Sequence, residues 1–429
     1  MRVIEKYPFS YSENFKTQLL TWAQQFNEVV WLDSNNYFQK HTAYKAILAV
    51  DAFTSLKTDF YQAFDQLEEY QTKTNDWLFG YLSYELKNDV EHLQSQNFDG
   101  LHFPDLYFFQ PKKIFLFSEN EVELHYLKMV DDELESDWQE ILNIALEDIP
   151  NKQNPVKISM RTSKDAYFKK VESLLQHIQR GDIYEANFCQ EFFSENTVVN
   201  PVDTFFQLNK ISKSPFATFL KLDEFYALSA SPERYLKKTG NTIISQPIKG
   251  TAKRDKNKTK DLEILNRLLS DPKERSENIM ITDLVRNDLS RIAKKGSVTV
   301  EELCEGYTFE QVHQLISTVH CEVKPDISPV NILRKTFPMG SMTGAPKVSS
   351  MKIAENLEDT KRGLYSGAIG YFTPDNDFDF NVVIRSILYN SEEKYISFSV
   401  GGAITIRSTP ANEYEECLIK AKAMRQVLE

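Results

Sequence analysis

The residues best suited to chemistry lie in the segment SPERYLKKTGNTIISQPIKGTAKR, residues 231–254. It holds a carboxylate, Glu233, and a lysine, Lys249, sixteen residues apart. Between them, Gly240-Asn241 stands at the centre of a turn flanked by short apolar runs, which predicts a β-hairpin. A hairpin places the segments before and after it side by side. The acid and the amine could therefore face one small pocket, the pairing that acid–base chemistry needs.

Two Glu-x-x-Glu pairs are a second candidate site: Glu274/Glu277 and Glu413/Glu416. Each pair falls in the first two turns of a predicted helix, where side chains three residues apart share a face. Four carboxylates on two helices could hold a hard cation such as Mg²⁺. The alternative is that they complement the positive ends of the helices. Glu274, three residues after Asp271, also fits a capping box.

Arg385 and the glycine-rich turn at residues 340–347 are the remaining candidates. Arg385 is a charge inside an apolar strand predicted near residues 380–388, and a buried arginine needs a partner. That partner is either a protein carboxylate or a ligand. The turn, GSMTGAPK, fails the phosphate-loop pattern because Lys347 comes three residues after Gly344. Its backbone N–H groups could bind a carboxylate, or the turn could be purely structural.

The elements that must position these residues alternate between hairpins and helices, which predicts an α+β fold with antiparallel sheet. A helix is predicted where Phe168, Val171, Leu174 and Ile178 recur at helical spacing before Gly181. Further helices are predicted from Asp271-Pro272 and from about Pro410. Strands are predicted at 45–50, 113–117, 216–222, 225–230, 242–246, 367–372, 380–388 and 395–400, with buried sheet at 77–85.

Composition predicts two domains in the 429 residues, with a boundary near residue 150. All four tryptophans come before it, whereas twelve of the fourteen glycines come after residue 180. Close backbone approach is therefore concentrated in the C-terminal part. Residues 150–155, PNKQNP, are a plausible linker. The prediction is an N-terminal α+β domain over 1–150, a possible effector or partner region, and a catalytic domain over 151–429.

Several classes of protein are disfavoured. The net charge of −12 argues against nucleic acid as a partner. No apolar run approaches the roughly 20 residues that span a bilayer, and the N-terminus has no apolar region typical of secretion. The scattered cysteines fit reduced thiols in a cytoplasm, and none stands in a turn typical of a glutaminase nucleophile. No histidine has metal-ligand spacing, and His313 is expected to be a satisfied core residue. The four cysteines are Cys189, Cys304, Cys321 and Cys417.

Taken together, these motifs resemble the chorismate-utilising enzymes, and within them the synthase components (component I) of aminodeoxychorismate synthases. The resemblance covers essentially all of residues 160–429, in the family's order. The N-terminal part matches only loosely, through WLDSN at 31–35 and GYLSYEL at 80–86. The matching segments are SPER at 231–234, PIKGT at 247–251, ERSENIMITDLVRNDL at 274–289, GSMTGAPK at 340–347, RGLYSGAIGY at 362–371, the strand of Arg385, and GGAITIRSTPANEYEE at 401–416.

The resemblance implies the fold of anthranilate synthase component I, with antiparallel sheets packed as a sandwich and flanking helices. It also implies that Glu277 and Glu416 are direct Mg²⁺ ligands, with Glu274 and Glu413 holding metal-bound waters. The Mg²⁺ would clamp the ring carboxylate of chorismate. The second carboxylate would be held by Tyr365, Arg385, Ser341 and the backbone near Gly402. The metal and Arg385 would locally offset the acidic balance of the chain.

For the reaction, the resemblance implies that Lys249 attacks carbon 2 of chorismate while Glu233, as general acid, protonates the departing 4-hydroxyl. Ammonia would then add at carbon 4 and expel the lysine, giving 4-amino-4-deoxychorismate for folate synthesis. A free lysine is protonated at neutral pH, so attack requires desolvation or nearby cations. Glu233 must stay protonated, through burial or neighbouring carboxylates. The alternative for Lys249 is a solvated residue in a basic run with Lys253 and Arg254.

The alternatives within the family are anthranilate synthase, which carries a small residue in place of Lys249, and isochorismate synthase, which needs a basic lysine in place of Glu185. From another class, the chain could be a non-catalytic chorismate-binding regulator. Because no glutaminase domain is recognised in the sequence, a separate glutamine amidotransferase subunit is expected to supply ammonia. Two positions depart from the family: Gln314 stands where a histidine is usual, with His313 one place early. Glu185 replaces a glutamine, where it could guide ammonium or be solvated.

Overall fold

The computed structural model describes residues 1–9, 12–37, 40–91, 93–145 and 155–429. Twenty strands lie within these residues, and every strand pairing between them is antiparallel. They are β1 (Arg2–Pro8), β2 (Glu28–Asp33), β3 (Ala46–Thr58), β4 (Leu78–Leu82), β5 (Leu106–Phe117), β6 (Glu121–Leu127), β7 (Ser159–Met160), β8 (Glu185–Ser194), β9 (Phe216–Leu222), β10 (Phe225–Ser231), β11 (Arg234–Thr239), β12 (Thr242–Gln246), β13 (Ile248–Lys253), β14 (Thr299–Thr308), β15 (Val312–Glu322), β16 (Gly344–Ala345), β17 (Ala368–Phe372), β18 (Phe378–Asn381), β19 (Ser386–Asn390) and β20 (Tyr395–Thr405).

Eleven α-helices are found in the same described ranges, so the α+β prediction is confirmed. None of them has the length and apolar character that a membrane crossing requires. The helices are α1 (Glu13–Ala23), α2 (Ala63–Thr74), α3 (Lys87–Glu91), α4 (Leu134–Asn143), α5 (Lys164–Arg180), α6 (Pro201–Ser212), α7 (Lys258–Ser270), α8 (Pro272–Ser290), α9 (Pro329–Thr336), α10 (Lys347–Leu357) and α11 (Pro410–Leu428); three short 3-10 helices cover Tyr84–Leu86, Lys128–Glu133 and Gly340–Met342.

The predicted hairpin is present. Strands β11 and β12 pair from Arg234 opposite Gln246 to Thr239 opposite Thr242, with a register shift between Arg234 and Lys237 and with Gly240 at the tip in the left-handed region (φ 57°). The strand after the hairpin, β13, does not pair with β11. It pairs with β15 instead. The hairpin therefore sets Glu233 at the start of β11, and the change of partner decides where Lys249 lies.

Helix ends follow the sequence signals. Ser163 caps α5 by accepting from the backbone N–H of Ala166, and Gly181 ends the helix at φ 84°. At α8, the Asp271 carboxylate accepts from the N–H groups of Lys273 (2.8 Å) and Glu274 (3.1 Å). These caps satisfy donors that the first helical turn leaves unpaired. The predicted end of α5 at Gly181 and the predicted starts of α8 and α11 are confirmed.

The strands form two layers joined through the long pair of β3 and β5. One end of this pair continues through β2, β9, β10, β19, β20 and β8. The other end continues through β4, β17, β18, β11, β12 and β15, with β13 and β14 also paired to β15. Strand pairing is continuous from one layer to the other through β3 and β5. The register of these paired strands therefore fixes the position of one layer relative to the other.

Apolar side chains that alternate along the strands fill two cores. Leu220 and Ala227 of the first layer share one cluster with Leu82, Ile369 and Phe380 of the second layer. That shared cluster corresponds to the interior of a sandwich.

On its other face the first layer is covered by helices. Phe219 and Leu228 are next in sequence to Leu220 and Ala227, so their side chains point to the opposite face of the layer. There they pack in a second cluster with Tyr167 of α5 and Met424 of α11. The predicted sandwich with flanking helices agrees with this arrangement.

The predicted domain boundary and most of the linker lie outside the described residues, so the division into 1–150 and 151–429 stays a prediction. Strands from the two parts pair directly: β2 with β9, and β4 with β17. A cavity lined by both parts lies against Asp33, Tyr44, Arg234 and Tyr371. The predicted effector role of the first part remains a prediction.

One strand prediction is wrong. The apolar run predicted as one strand near 380–388 forms two strands, β18 and β19, separated by residues 382–385. Arg385 at the break has φ 53°, a left-handed conformation that a regular strand does not allow. Val382 and Val383 are buried although they lie outside the ladder, so the hydrophobic pattern could not reveal the interruption.

Candidate active site

Glu233 is a buried acid at the entrance to the hairpin. Its backbone N–H donates to the Ser231 hydroxyl (3.3 Å), which itself donates to the carbonyl of Val382 (2.6 Å). Only 5% of the residue is exposed. Burial raises the pKa of Glu233 to about 7, although a hydrogen bond with Ser341 and the charge of Lys249 both act to lower it. Glu233 can therefore be protonated near neutral pH, as a general acid must be.

Lys249 lies on β13, where the ladder to β15 shifts register between Ile248 and Thr251. The next residue, Gly250, has φ 88°, a conformation that glycine adopts without strain. The side-chain amide of Asn278 donates to the backbone carbonyl of Lys249 (3.4 Å). A bulge is a common means of turning a side chain out of the regular ladder. Here it sets the direction of Lys249.

The ammonium group of Lys249 forms no ion pair or hydrogen bond with the described residues. Its charge nevertheless acts on the carboxyl groups of Glu185, Glu233 and Glu416. The structure thus places Lys249 where its charge acts on Glu233, although pairing of β13 with β15, and not the hairpin itself, positions the lysine. The surroundings differ from expectation, because the neighbouring charges are carboxylates and not the cations that favour a neutral amine.

The two glutamate pairs converge from α8 and α11. The charge of Lys273 interacts with all four carboxylates, which places them around one point. A side chain at Gly402 would meet Glu413 Oε2 and Glu416 Oε1 at 3.4 Å, and one at Gly250 would meet Glu274 Oε2 at 3.2 Å. Two glycines therefore leave space beside the carboxylates. The four glutamates are Glu274, Glu277, Glu413 and Glu416.

The surroundings shift the pKa values of these glutamates in different directions. Burial, and next the charge of Glu277, raise the pKa of Glu274; burial likewise raises the pKa of Glu413, with Glu416 adding to the effect. Burial opposes the ionisation of Glu416, but Lys420, whose ammonium lies 2.7 Å away, outweighs it and lowers the pKa. Crowded carboxylates of this kind are stabilised by a bound cation.

Hard carboxylate oxygens are the donors that Mg²⁺ prefers, so the chemistry of these residues fits that ion. Throughout the described ranges, however, no three His, Cys, Asp or Glu side chains are drawn closely enough together to hold a metal ion. Instead the ammonium of Lys273 lies 3.8 Å from Glu277. The residues therefore fit Mg²⁺ in the type of donor atom but are not spaced as a metal site, and the metal remains a proposal.

Arg385 is the cation available to an anionic ligand. Its guanidinium forms no hydrogen bond or ion pair with the described residues, so the protein carboxylate that seemed the ordinary partner is not found among them. Burial lowers the pKa of Arg385, while the charges of Tyr365 and Glu416 act to raise it. A partly buried arginine without a protein partner is an expected binding group for a carboxylate.

Three other residues predicted to hold the substrate lie at different places. Tyr365 is buried beside Arg385, and its hydroxyl accepts a weak hydrogen bond from the Cys189 thiol (3.8 Å). Ser341 bonds to the Glu233 carboxyl. Gly402 borders the Glu413–Glu416 pair. The predicted carboxylate-binding set is therefore divided between the arginine, the general acid and the acidic cluster.

The glycine-rich turn is fixed by a buried ion pair. The ammonium of Lys347 lies 2.7 Å from both carboxylate oxygens of Asp288, and it donates to the carbonyls of Thr336 (3.2 Å) and Pro338 (2.8 Å). These contacts occupy the lysine completely. The turn therefore uses Lys347 to dock on α8, which sets the position of Ser341, rather than to bind an anion.

Two supporting groups were not identified from the sequence. Asn278 joins α8 to the carbonyls of Lys249 and Leu315, and its position directly after Glu277 was the available signal. Arg362 donates to the carbonyls of Met342 and Asn187 and is held by Glu358. The burial of Glu185 was also unforeseen, since a solvated carboxylate was one of the two expectations.

His313 behaves as predicted, as a satisfied core residue. Its ring nitrogens lie 2.9 Å from Asp261 Oδ1 and 3.0 Å from the Thr308 hydroxyl. Gln314, the residue at the departure from the family, is buried, and its Oε1 has no partner among the described residues.

An α+β sandwich that carries a buried acid, an unpaired lysine and a partly buried arginine beside an acidic cluster has the groups that binding and converting a small anionic metabolite require. The match to known proteins makes this specific. Residues 27–426 match the family described as chorismate binding enzyme. The chain belongs to this family, and it is a chorismate-utilising enzyme.

Individual relatives agree with this assignment. Aminodeoxychorismate synthase component 1 of Bacillus subtilis is 32% identical over 82% of this chain and 76% of its own length. Aminodeoxychorismate synthase of Streptomyces griseus is 35% identical over 82% of this chain but only 50% of its own length. The crystal structure of anthranilate synthase component I from Streptococcus pneumoniae superposes with a TM-score of 0.78 at 25% identity, covering 91% of this chain and 95% of that one.

Replacing the unpaired arginine is expected to weaken chorismate binding. Arg385→Gln removes the charge but keeps hydrogen-bonding capacity, so KM for chorismate should rise about thirtyfold or more, since losing one partner of a buried charge pair costs about 2–5 kcal/mol. The value of kcat should change much less. Steady-state kinetics measure both. Arg286→Gln, on the exposed face of α8, is the control. An unchanged KM in Arg385→Gln would exclude the assigned contact.

Proposed function

We propose that the chain is the synthase component of an aminodeoxychorismate synthase, which converts chorismate and ammonia into 4-amino-4-deoxychorismate. The observation that carries the proposal is the meeting of Lys249 with a buried acid, Glu233, whose pKa is about 7. Names of relatives give further support: the proteins from Bacillus subtilis and Streptomyces griseus are both described as aminodeoxychorismate synthases.

In the proposed mechanism Lys249 attacks carbon 2 of chorismate and Glu233 gives its proton to the departing 4-hydroxyl. Ammonia then adds at carbon 4 and expels the lysine. Burial supports the role of Glu233, since a carboxyl group in water would be ionised at neutral pH and unable to donate. Arg385 binds a substrate carboxylate, with Tyr365 beside it.

Mg²⁺ is part of the proposal. Glu277 and Glu416 would hold the ion directly, and Glu274 and Glu413 would hold its waters. When bound, the ion supplies positive charge to the ring carboxylate of chorismate. The protein contributes the convergence of α8 and α11, and glycines at 250 and 402 that leave room for ligand and ion.

Ammonia is proposed to come from a partner, a glutamine amidotransferase subunit. The support is indirect: the Bacillus subtilis relative is named as component 1, a designation that implies a further component. Free ammonium salt should replace the partner in a purified reaction, which allows the synthase chemistry to be measured alone.

Product identity tests the proposal. The purified chain is incubated with chorismate, Mg²⁺ and ammonium chloride, and the products are separated and identified by mass spectrometry. The expected product is 4-amino-4-deoxychorismate. Anthranilate formed without added lyase would instead favour the second candidate, anthranilate synthase, which the likeness to the Streptococcus pneumoniae structure supports. A product formed with water and without ammonium would indicate isochorismate synthase.

Chelation of metal is expected to abolish turnover, because the ring carboxylate would then face four glutamates without a compensating charge. Adding Mg²⁺ back should restore activity. Glu277→Gln should raise the Mg²⁺ concentration needed for half-maximal rate about tenfold or more, in the range found when metal-site contacts are removed. Asp283→Asn, an exposed acid on the same helix, is the control. Activity that persists fully in excess chelator would contradict the metal proposal.

A further inference from the structure

Glu185 is a buried carboxyl group that the proposed mechanism does not use. It begins β8, and only 2% of the residue is exposed. Its backbone is fixed by pairing with Ala345 and by a hydrogen bond from the Ser350 hydroxyl (2.9 Å). Its Oε2 atom is buried and has no hydrogen-bond partner among the described residues. An unpartnered buried carboxylate oxygen is costly, so a functional reason is expected.

The face of β8 that carries Glu185 is directed toward the active site. Asn187 lies two residues further along the strand, on the same face. Its side-chain amide donates to the carbonyl of Ser341 (3.0 Å), and Ser341 bonds to Glu233. The charged groups that act on Glu185 come from two elements, Lys249 of β13 and Glu277 of α8. Lys249 has the larger influence of the two.

Lys249 needs a group that removes its proton before it can attack. Of the three carboxyl groups that its charge reaches, Glu233 must itself give a proton and is already bonded to Ser341. Glu416 is paired with Lys420 at 2.7 Å and is assigned to the metal cluster. Of these three, Glu185 is the one with a buried oxygen that has no hydrogen-bond partner among the described residues.

We propose that Glu185 is the proton acceptor for Lys249, converting its ammonium group into the neutral amine that attacks chorismate; the inference rests on the proposed function. Burial raises the pKa of Glu185, which strengthens it as a base. Because Glu185 is itself buried, it offers Lys249 a fixed acceptor in place of the bulk water that an exposed lysine would use.

The proton and electron balance is as follows. Lys249 gives one proton to Glu185, and its nitrogen pair forms the bond to carbon 2. The ring electrons shift, the bond from carbon 4 to oxygen breaks, and the hydroxyl leaves as water with the proton of Glu233. When ammonia adds at carbon 4, the bond to Lys249 breaks and its electron pair returns to the amine. Glu185 gives the proton back, and Glu233 is reprotonated from solvent.

The test compares Glu185→Gln with the wild-type chain across pH, using chorismate, Mg²⁺ and ammonium chloride. At neutral pH kcat is expected to fall about a hundredfold, the lower range for a positioned base, with KM for chorismate little changed. The loss should diminish as pH rises, because hydroxide can then take the proton from Lys249. A purely structural defect would not recover with pH. Glu185→Asp, which retains a carboxylate, should recover part of the rate at neutral pH.

Glu191→Gln is the matched control. Glu191 lies on the same strand and face, is equally buried, and is paired with Arg161 (3.1 Å) and Tyr395 (2.9 Å). Its replacement should lower the melting temperature without a rate loss that depends on pH. Melting curves of all variants show which of them are folded.

Three results would overturn the inference while leaving the proposed function intact: full activity of Glu185→Gln at neutral pH, a rate loss that is equal at every pH, or a rise in KM for ammonium with kcat unchanged. The last would place Glu185 on the second substrate. Failure of the proposed function is recognised separately, as a wild-type product other than 4-amino-4-deoxychorismate.

Discussion

Lys249→Ala is expected to reduce formation of 4-amino-4-deoxychorismate at least about a hundredfold, because alanine has no amine to form the proposed covalent bond. Three carboxyl groups sense the charge of Lys249, and no described side chain bonds to its ammonium group. An unpaired lysine is what the proposed nucleophile role requires. The measurement is the rate of product formation with ammonium as the nitrogen source, at saturating chorismate and Mg²⁺.

Lys253→Ala is the control, since Lys253 lies on the same strand but is exposed. It should retain the wild-type rate, which separates a specific role of Lys249 from a general effect of the basic run. Because Lys249 has no ion pair to lose, its replacement should change the free energy of unfolding by only about 0.5 kcal/mol. Undiminished turnover in folded Lys249→Ala would remove the nucleophile role.

Local signals in the sequence predicted the elements that carry the site. The Gly240 turn, the Asp271 cap and the Gly181 helix end all rest on short-range sterics and hydrogen bonds, and the structure confirms each one. Strand β9 has the predicted bounds, because an apolar run ending at a turn is a local feature. Such features depend on a few neighbouring residues and are therefore readable without tertiary structure.

Tertiary relations were harder to predict. Nothing near Arg385 in the sequence indicates its left-handed φ or the lack of a protein partner, since both depend on strands and helices distant along the chain. The burial of Glu185 likewise results from packing against residues more than 60 positions away, around Lys249 and the turn at 340–347. Burial and electrostatics are properties of the assembled layers, and the pattern of one segment does not determine them.

Glu233→Gln is expected to lower kcat about a hundredfold or more, since an amide cannot donate the proton that the leaving hydroxyl needs. In the wild-type chain the rate should decline as pH rises through about 7, because Glu233 is protonated below that value and ionised above it. The variant should lose this dependence along with most of its activity. Glu392→Gln, an exposed replacement of the same kind, is the control. A pH profile of kcat/KM for the three proteins checks the assignment.

The same substitution is expected to stabilise the fold at high pH. The pKa of Glu233 is about 7 in the folded chain against 4.5 for the free group, so its favourable contribution is complete below pH 4.5 and is lost as pH rises through 7. Above that range the ionised, buried group costs on the order of 3 kcal/mol. Glutamine avoids this cost and can still accept from Ser341. Chemical denaturation should therefore show Glu233→Gln to be the more stable protein above about pH 8 and similar to wild type near pH 4.5. A variant that is inactive and also less stable at every pH would indicate a structural role for Glu233 instead of a general acid kept protonated by burial.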